Sequence, residues 1–335
     1  MFSRMTPKIE GTNAISEIRK VNIGGVDQWL LIRGENKNLP LLLMLHGGPG
    51  AAQIGFIREY QQELEKHFIV VNWDQRGAGL SYKNSIPIET MNINQFLHDA
   101  IEVVDYIKRD FHKEKVFLLG HSWGSLLGML AISKFPEHFI HYFGVSQVVN
   151  MSKAEELSYE LLLERARETN NQKAIKDLEK IGKPPWKHLK HDRVHQKYLE
   201  LMGGGISHDG KLVNEIVKKL LKSKEYTIFD AMKYVNGQLF SMKAMLDELR
   251  QFDLTNEVKE VKVPISFIMG SHDLTVPSLP TKEFFNTIEA PFKEWFIFNK
   301  SAHSPNFEER EKFTRIVLEA KNRYLNIREQ SMTGL

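Results

Sequence analysis

Val116-Phe117-Leu118-Leu119-Gly120-His121-Ser122-Trp123-Gly124 is an apolar run that breaks at a glycine, passes through Gly-x-Ser-x-Gly and opens into a helical pattern over 123–135. A serine at so sharp a strand-to-helix turn has a strained backbone and must be flanked by small residues. The turn pushes its hydroxyl into a cleft at the positive end of a helix. The stretch therefore predicts Ser122 as a nucleophile for acyl transfer; an aspartate there would point to epoxide or carbon–halogen chemistry. His121 diverges from its neighbour at the turn and reads as a structural histidine beneath it.

Outward from this turn, strands and helices alternate. On the N-terminal side, 15–23 and 26–33 alternate apolar with polar around Gly24-Gly25, the signature of a hairpin. Leu41-Leu42-Leu43-Met44-Leu45 is continuously apolar, as in a strand covered on both faces. A helix over 54–66, a strand over 68–73 and a helix over 94–109 lead to the strand at 116–119, and a strand over 139–149 follows. This order predicts an α/β chain with a doubly wound, mostly parallel sheet. From Met151 the alternation stops. Residues 151–256 are charged and helically periodic, punctuated by Gly182-Lys183-Pro184-Pro185 and Gly203-Gly204-Gly205. Strands at 263–269 and 294–298 and helices at 281–288 and 307–324 complete the pattern. The expected organisation is a core in two parts, 1–150 and 257–335, around a helical cap insertion at 151–256.

Composition narrows the function. The formal net charge of the 335 residues is +3 with both signs interspersed, which asks for neither nucleic acid nor an anionic membrane as partner. The absence of cysteine excludes disulfides, thiolate metal sites and a cysteine nucleophile. The first eleven residues lack the apolar core of a signal peptide, and no apolar run is long enough to span a bilayer, so a cytoplasmic protein is expected. Oligomeric state is not legible.

A serine hydroxyl needs a base. On an elbow of this kind the acid and then the histidine follow along the chain, each on a loop ending a strand. Of 13 histidines, His303 in Lys300-Ser301-Ala302-His303-Ser304-Pro305 is the one that sits in a loop after the last apolar strand. Asp273, in Gly270-Ser271-His272-Asp273, follows the preceding strand and is placed to accept the other ring proton and fix the tautomer. His188, His191 and His195 read as a solvated face, and no metal or cofactor site is expected. His46-Gly47-Gly48-Pro49-Gly50 lies where a strand opens beside the nucleophile, and its glycines let the backbone approach a substrate carbonyl. The N–H groups of Trp123 and Gly48, with Gly47 as the alternative to Gly48, are the expected oxyanion hole.

Three motifs, HGGPG at 46–50, WDQRGAGLS at 73–81 and GHSWGS at 120–125, together resemble the α/β-hydrolase superfamily and, within it, the proline iminopeptidase family of serine peptidases. The resemblance implies an α/β-hydrolase fold with a cleft between core and cap. It also implies that Asp74 and Arg76 hold the adjoining loop by a charge-assisted bond, and that cap carboxylates bind a substrate ammonium. The family's late-cap glutamate falls at Asn236, in Val235-Asn236-Gly237-Gln238-Leu239-Phe240; an amide can bond an ammonium but not neutralise it. Glu155, Glu156, Glu160 and Glu164 are possible replacements, with Glu156 and Glu160 taken as substrate-binding; an exposed helix face is their other reading. The function expected is that of a serine hydrolase with a Ser-His-Asp triad and an acyl-enzyme, acting on a small-molecule or short-peptide ester or amide. A carboxylesterase without aminopeptidase activity and a non-catalytic ligand receptor on the same fold are the alternatives.

Overall fold

Gly24 and Gly25 sit at φ 54° and 79°, and this turn folds β1 (Ile15–Ile23) back on β2 (Val26–Gly34) with Ile23 opposite Val26. The computed structural model describes residues 4–186 and 188–333, so the outermost residues of the two expected core parts lie outside the described residues. After the hairpin come β3 (Leu41–Leu45), α1 (Arg58–Glu65), β4 (Ile69–Asp74), α2 (Ile93–Asp110), β5 (Val116–His121), α3 (Trp123–Lys134) and β6 (Phe139–Val145). Six helices follow without a strand among the described residues: α4 (Met151–Glu168), α5 (Gln172–Ile181), α6 (Leu189–Leu201), α7 (Leu212–Leu221), α8 (Ile228–Gln251) and α9 (Leu254–Glu257). The chain then returns through β7 (Ile265–Gly270), α10 (Ser278–Thr287), β8 (Lys293–Phe298), α11 (Pro305–Glu308) and α12 (Arg310–Thr333).

The strands form one sheet in the order β1-β2-β4-β3-β5-β6-β7-β8. Only the β1–β2 and β2–β4 pairings are antiparallel; β3 to β8 run parallel. The α/β class and the mostly parallel, doubly wound sheet are as the sequence predicts. Successive residues of β3 serve opposite faces, because side chains alternate along a strand. Leu43 and Leu45 join Phe96 and Val103 of α2 and Leu126 of α3, whereas Leu42 and Met44 join Leu64 of α1 and Phe313, Ile316 and Val317 of α12. Each such buried side chain contributes about 1.5–3 kcal/mol through removal of apolar surface from water.

Two element ends differ from the sequence reading for local reasons. β6 stops at Val145, not at 149, because Ser146 takes φ 45° and turns the chain out of the sheet. The last helix begins as a separate turn at Pro305 and resumes at Arg310, continuing to Thr333. At the root of the helical segment its two ends meet. Asn150 bridges Asp253 in an antiparallel pair, and Leu254 N donates to Val149 O at 2.9 Å. Among the described residues no helix is long and apolar enough to cross a membrane.

Candidate active site

Ser122 lies between β5 and α3 at φ 54° and ψ −122°, a conformation disfavoured for any residue with a Cβ. The main chain holds it there. Its N–H donates to Val145 O at 3.0 Å, and its carbonyl accepts from Ser125 N at 2.8 Å and Ser125 Oγ at 2.6 Å. The flanking glycines are required by close approach: a Cβ on Gly120 would lie 2.2 Å from Gly124 O, and one on Gly124 2.2 Å from Leu45 O. The Ser122 hydroxyl makes no hydrogen bond among the described residues, and the residue is half-buried.

The loops after β7 and β8 bring Asp273 and His303 together. Both are buried, and Nδ1 of His303 donates to Oδ2 of Asp273 at 2.9 Å. With its proton committed there, the neutral ring presents Nε2 as an acceptor. The carboxylate is fully occupied, Oδ1 accepting from Thr275 N at 2.9 Å and Val276 N at 2.8 Å, and Oδ2 also lying 2.8 Å from Ser146 Oγ. The carbonyl oxygen of His303 is in turn 2.7 Å from Nε2 of His121 and 3.1 Å from Ser146 Oγ. Burial, followed by the neighbouring His303, depresses His121 to about 4, so its ring stays neutral near pH 7 and donates as a fixed dipole. The rings of His121 and His303 are 5.1 Å apart.

The glycine loop also approaches Ser122, since a Cβ on Gly47 would lie 3.1 Å from Ser122 Cβ; the next residue, Gly48, is at φ 113°, and a Cβ there would lie 2.5 Å from Gly50 N. Gln75 ties this loop to the elbow. Its N–H donates to His46 Nε2 at 3.1 Å, its side-chain nitrogen donates to His46 O at 3.0 Å, and its Oε1 accepts from the Trp123 indole at 2.9 Å. Nδ1 of His46 lies 2.8 Å from Gly47 O, and burial lowers this histidine to about 4, in keeping with a neutral ring that accepts at Nε2. The N–H groups of Gly48 and Trp123 make no backbone hydrogen bond among the described residues.

The expected Asp74–Arg76 bond does not form. Arg76 and Asp99 instead make a fully buried pair, Nε to Oδ2 at 2.8 Å and Nη2 to Oδ1 at 3.0 Å, and Arg76 Nη2 also donates to Gly24 O at 2.8 Å. Asp74 accepts from Leu80 N at 3.0 Å, Ile54 N at 3.3 Å and the Tyr226 hydroxyl, and burial raises it to about 6. Each side chain is thus satisfied by other partners, Asp74 by two main-chain N–H groups and Tyr226, and Arg76 by Asp99 of α2.

Of the residues expected to meet substrate in the helical segment, Glu156 and Glu160 are exposed on α4, and Glu160 pairs with Lys183 at 2.6 Å. Asn236 is exposed on α8 and lines an open groove with Tyr82, Phe229 and Met232. Glu155 is the carboxylate that α4 turns inward. It is held by Arg250 at 2.9 Å, which also pairs with Asp192 at 2.9 Å. His195, read as solvated, is buried, with Nε2 3.1 Å from Ser158 Oγ and its ring 4.9 Å from that of Trp186. Among the described residues no group of three or more His, Asp or Glu side chains gathers as a metal site would need. Two residues of the site escaped the sequence reading. Gln75 lies inside the WDQRGAGLS motif with nothing in its residue type to mark it, and Ser146 falls inside the strand expected over 139–149, where nothing in the sequence marks the turn it makes.

The model of the family described as serine aminopeptidase, S33, matches residues 37–196. The chain is 40% identical over 297 residues to the "Probable aminopeptidase YbaC" of Bacillus subtilis, covering 88% of this chain and 93% of that protein. It is 24% identical over 300 residues to a proline iminopeptidase of Clostridioides difficile, covering 89% and 95%. Among solved structures it resembles a proline iminopeptidase-related protein from Thermus thermophilus, with a TM-score of 0.66 at 18% identity over 91% of this chain and 97% of that one.

Proposed function

The chain belongs to the serine aminopeptidase S33 family and is a hydrolase of the α/β-hydrolase type, and on that premise we propose that Ser122, His303 and Asp273 are the catalytic triad of a serine hydrolase acting on a small ester or amide. The buried 2.9 Å bond from His303 Nδ1 to Asp273 Oδ2, on a loop tied by His121 to the elbow that holds Ser122 at φ 54°, is the observation that carries the proposal.

In the proposed mechanism, the Ser122–His303 hydrogen bond closes as substrate enters, since catalytic contacts often tighten only in the complex. Nε2 of His303 then takes the Ser122 proton as Oγ attacks the carbonyl carbon. The N–H groups of Gly48 and Trp123 hold the tetrahedral oxyanion, each worth about 3 kcal/mol of the barrier. Asp273 stabilises the imidazolium, which next protonates the departing amine or alcohol. Water, deprotonated by the same histidine, clears the acyl-enzyme. The helical segment, residues 151–256, serves as a cap, with the cleft between it and the core formed by 1–150 and 257–335.

Release of an N-terminal residue is the first version of this activity, in line with the names of the relatives. One observation favours a carboxylesterase instead. Glu156, Glu160 and Asn236 are exposed, and the inward carboxylate of Glu155 is already paired with Arg250, so no unpaired buried carboxylate waits on α4 for an ammonium. A fluorophosphonate probe tests the chemistry, and wild type is expected to label while Ser122→Ala does not. A proline arylamide and its N-acetyl derivative then separate the two substrate classes. Cleavage of the free amine alone supports the aminopeptidase; equal or faster cleavage of the acetylated amide or of p-nitrophenyl acyl esters supports the esterase.

A further inference from the structure

We infer that the triglycine turn Gly203-Gly204-Gly205, which closes α6 in the helical segment, is a positioning element for the active site, bracing from outside the core both loops that carry Asp273 and His303. The inference rests on the assignment of Ser122, Asp273 and His303 made above. In the sequence these glycines punctuate the segment and nothing more.

The turn is bonded to both loops by its own carbonyls. Gly204 O accepts from Leu274 N at 3.0 Å and from Thr275 Oγ1 at 3.3 Å, immediately after Asp273. Gly205 O accepts from the N–H of His303 itself at 3.2 Å. A third link runs through Glu308 of α11, whose Oε1 accepts from His208 N at 2.7 Å while Oε2 accepts from Ala302 N at 2.9 Å. On the far side of Asp273, the ring of His272 stacks on that of His208 at 3.7 Å and 12°. Residues 272, 274, 302 and 303 are thus all tied to one stretch of six residues. That stretch is secured within the segment by Arg165 of α4, which donates to Met202 O at 3.0 Å, and by Glu200, which accepts from Ile206 N at 2.9 Å.

Close approach explains the three glycines. Gly203 is at φ 67°, a Cβ on Gly204 would lie 2.6 Å from Leu274 Cγ, and one on Gly205 would lie 2.4 Å from the Glu200 carboxyl carbon. Among the described residues no bond from the turn reaches Ser122, which is held by Val145 of β6 and Ser125 of α3. The brace therefore acts on the acid and base and leaves the elbow alone. A displacement of the segment is passed to the imidazole, and misplacement of a catalytic group by about 1 Å costs up to about a hundredfold in rate.

The rate of Ser122 labelling by a small fluorophosphonate reads this directly, because the probe needs an activated serine and few contacts with the helical segment. Gly204→Ala pushes on Leu274, and Leu274→Ala removes what it pushes on. Gly204→Ala is expected to label roughly tenfold to a hundredfold more slowly than wild type, with the pH of half-maximal labelling moved down because the imidazolium has lost part of its carboxylate support. The Gly204→Ala/Leu274→Ala double variant is expected to regain most of the rate of Leu274→Ala alone, and to recover its pH profile. Glu308→Gln, which keeps the size of the side chain but replaces one acceptor with a donor, is expected to slow labelling and move the profile in the same direction; it carries the test if Gly204→Ala does not fold. Gly204→Ala or Glu308→Gln labelling at the wild-type rate with the wild-type pH profile overturns the brace alone. Strictly additive effects of the two alanines overturn its transmission through Leu274. Absence of wild-type labelling, or equal labelling of Ser122→Ala, overturns the triad assignment and the brace with it.

Discussion

The ring of His121 donates from Nε2 to the carbonyl oxygen of His303 across 2.7 Å, so the residue before the proposed nucleophile fixes the main chain of the proposed base. His121→Ala takes the donor from that carbonyl, since the one proton of the nearby Ser146 hydroxyl goes to Asp273. A buried hydrogen bond of this kind contributes about 1 kcal/mol net, and orphaning its acceptor costs about 1–3 kcal/mol. We expect kcat to fall about tenfold with little change in KM, because the loss lies in aiming the base rather than in holding substrate. His121→Gln keeps a side-chain N–H and is expected to recover part of the rate. Steady-state kinetics of the three proteins on one ester decide the matter, and equal kcat values would leave His121 a packing residue.

Ser146 makes a sharper prediction because its hydroxyl has one proton and two neighbours, Asp273 Oδ2 at 2.8 Å and His303 O at 3.1 Å. His121 already serves the carbonyl, which assigns the Ser146 proton to the carboxylate. Ser146→Ala removes that donor and keeps the strain of φ 45°; Ser146→Gly removes the donor and the strain together. Both variants are expected to lose kcat to a similar degree, about tenfold, as hydrogen bonds to charged groups contribute about 1.5–3 kcal/mol. Their stabilities are expected to differ, with Ser146→Gly the more stable by about 1 kcal/mol. A urea titration beside the kinetics separates the two effects, and unchanged kcat in both variants would remove Ser146 from the site.

What the sequence made legible follows the range of the forces involved. The elbow could be read at 120–124 because its strain and its steric limits are local: Gly120 and Gly124 must be small for reasons settled within a few residues of Ser122. His303 and Asp273 could be placed because strand order fixes which loops meet at one sheet edge. Partnerships that depend on which way a buried side chain leaves the backbone were not legible. Asp74 and Arg76 are two residues apart, yet one reaches Leu80 and Tyr226 and the other Asp99. The same holds for α4, where Glu155 turns inward to Arg250 while its neighbour Glu156 faces solvent. Helical period marks the apolar stripe of such a helix, but not which of its flanking acids the fold will bury.

The Arg76–Asp99 pair carries a stability prediction. Both side chains are almost wholly buried, at 1% and 0% exposed, and Gln28 and Gln95 also donate to the carboxylate, at 2.7 Å and 2.8 Å. Asp99→Ala strands a buried guanidinium, and breaking such a pair from one side costs about 3–5 kcal/mol. Asp99→Asn keeps the shape and part of the hydrogen bonding and is expected to cost less. Chemical denaturation of the two variants tests this; a loss below about 1 kcal/mol for Asp99→Ala would mean that water reaches the guanidinium.

Acid stability offers the last test, and its sign can be worked out. Burial lowers His46, His121 and His195 to about 4 each and His141 to about 3, against an ordinary value of 6.5. In the unfolded chain each binds a proton near pH 6.5, and in the folded chain only near its lowered value. Unfolding therefore takes up protons between those limits, and stability, complete above pH 6.5, falls as the pH drops toward 4. Asp74 works the other way. Raised to about 6 from 3.8, it is protonated sooner in the folded chain and offsets one of the four histidines over much of the same window. Together these five groups take up about three protons at most on unfolding, which corresponds to a loss of up to about 4 kcal/mol per pH unit. Denaturation midpoints measured at steps from pH 7 to pH 4.5 are expected to fall steeply below pH 6.5. A flat profile across that range would mean that these imidazoles meet water in the folded state. His141, on β6 with its Nε2 2.9 Å from Ser266 Oγ of β7, allows a local check: His141→Gln is expected to flatten the slope by about one proton without altering kcat.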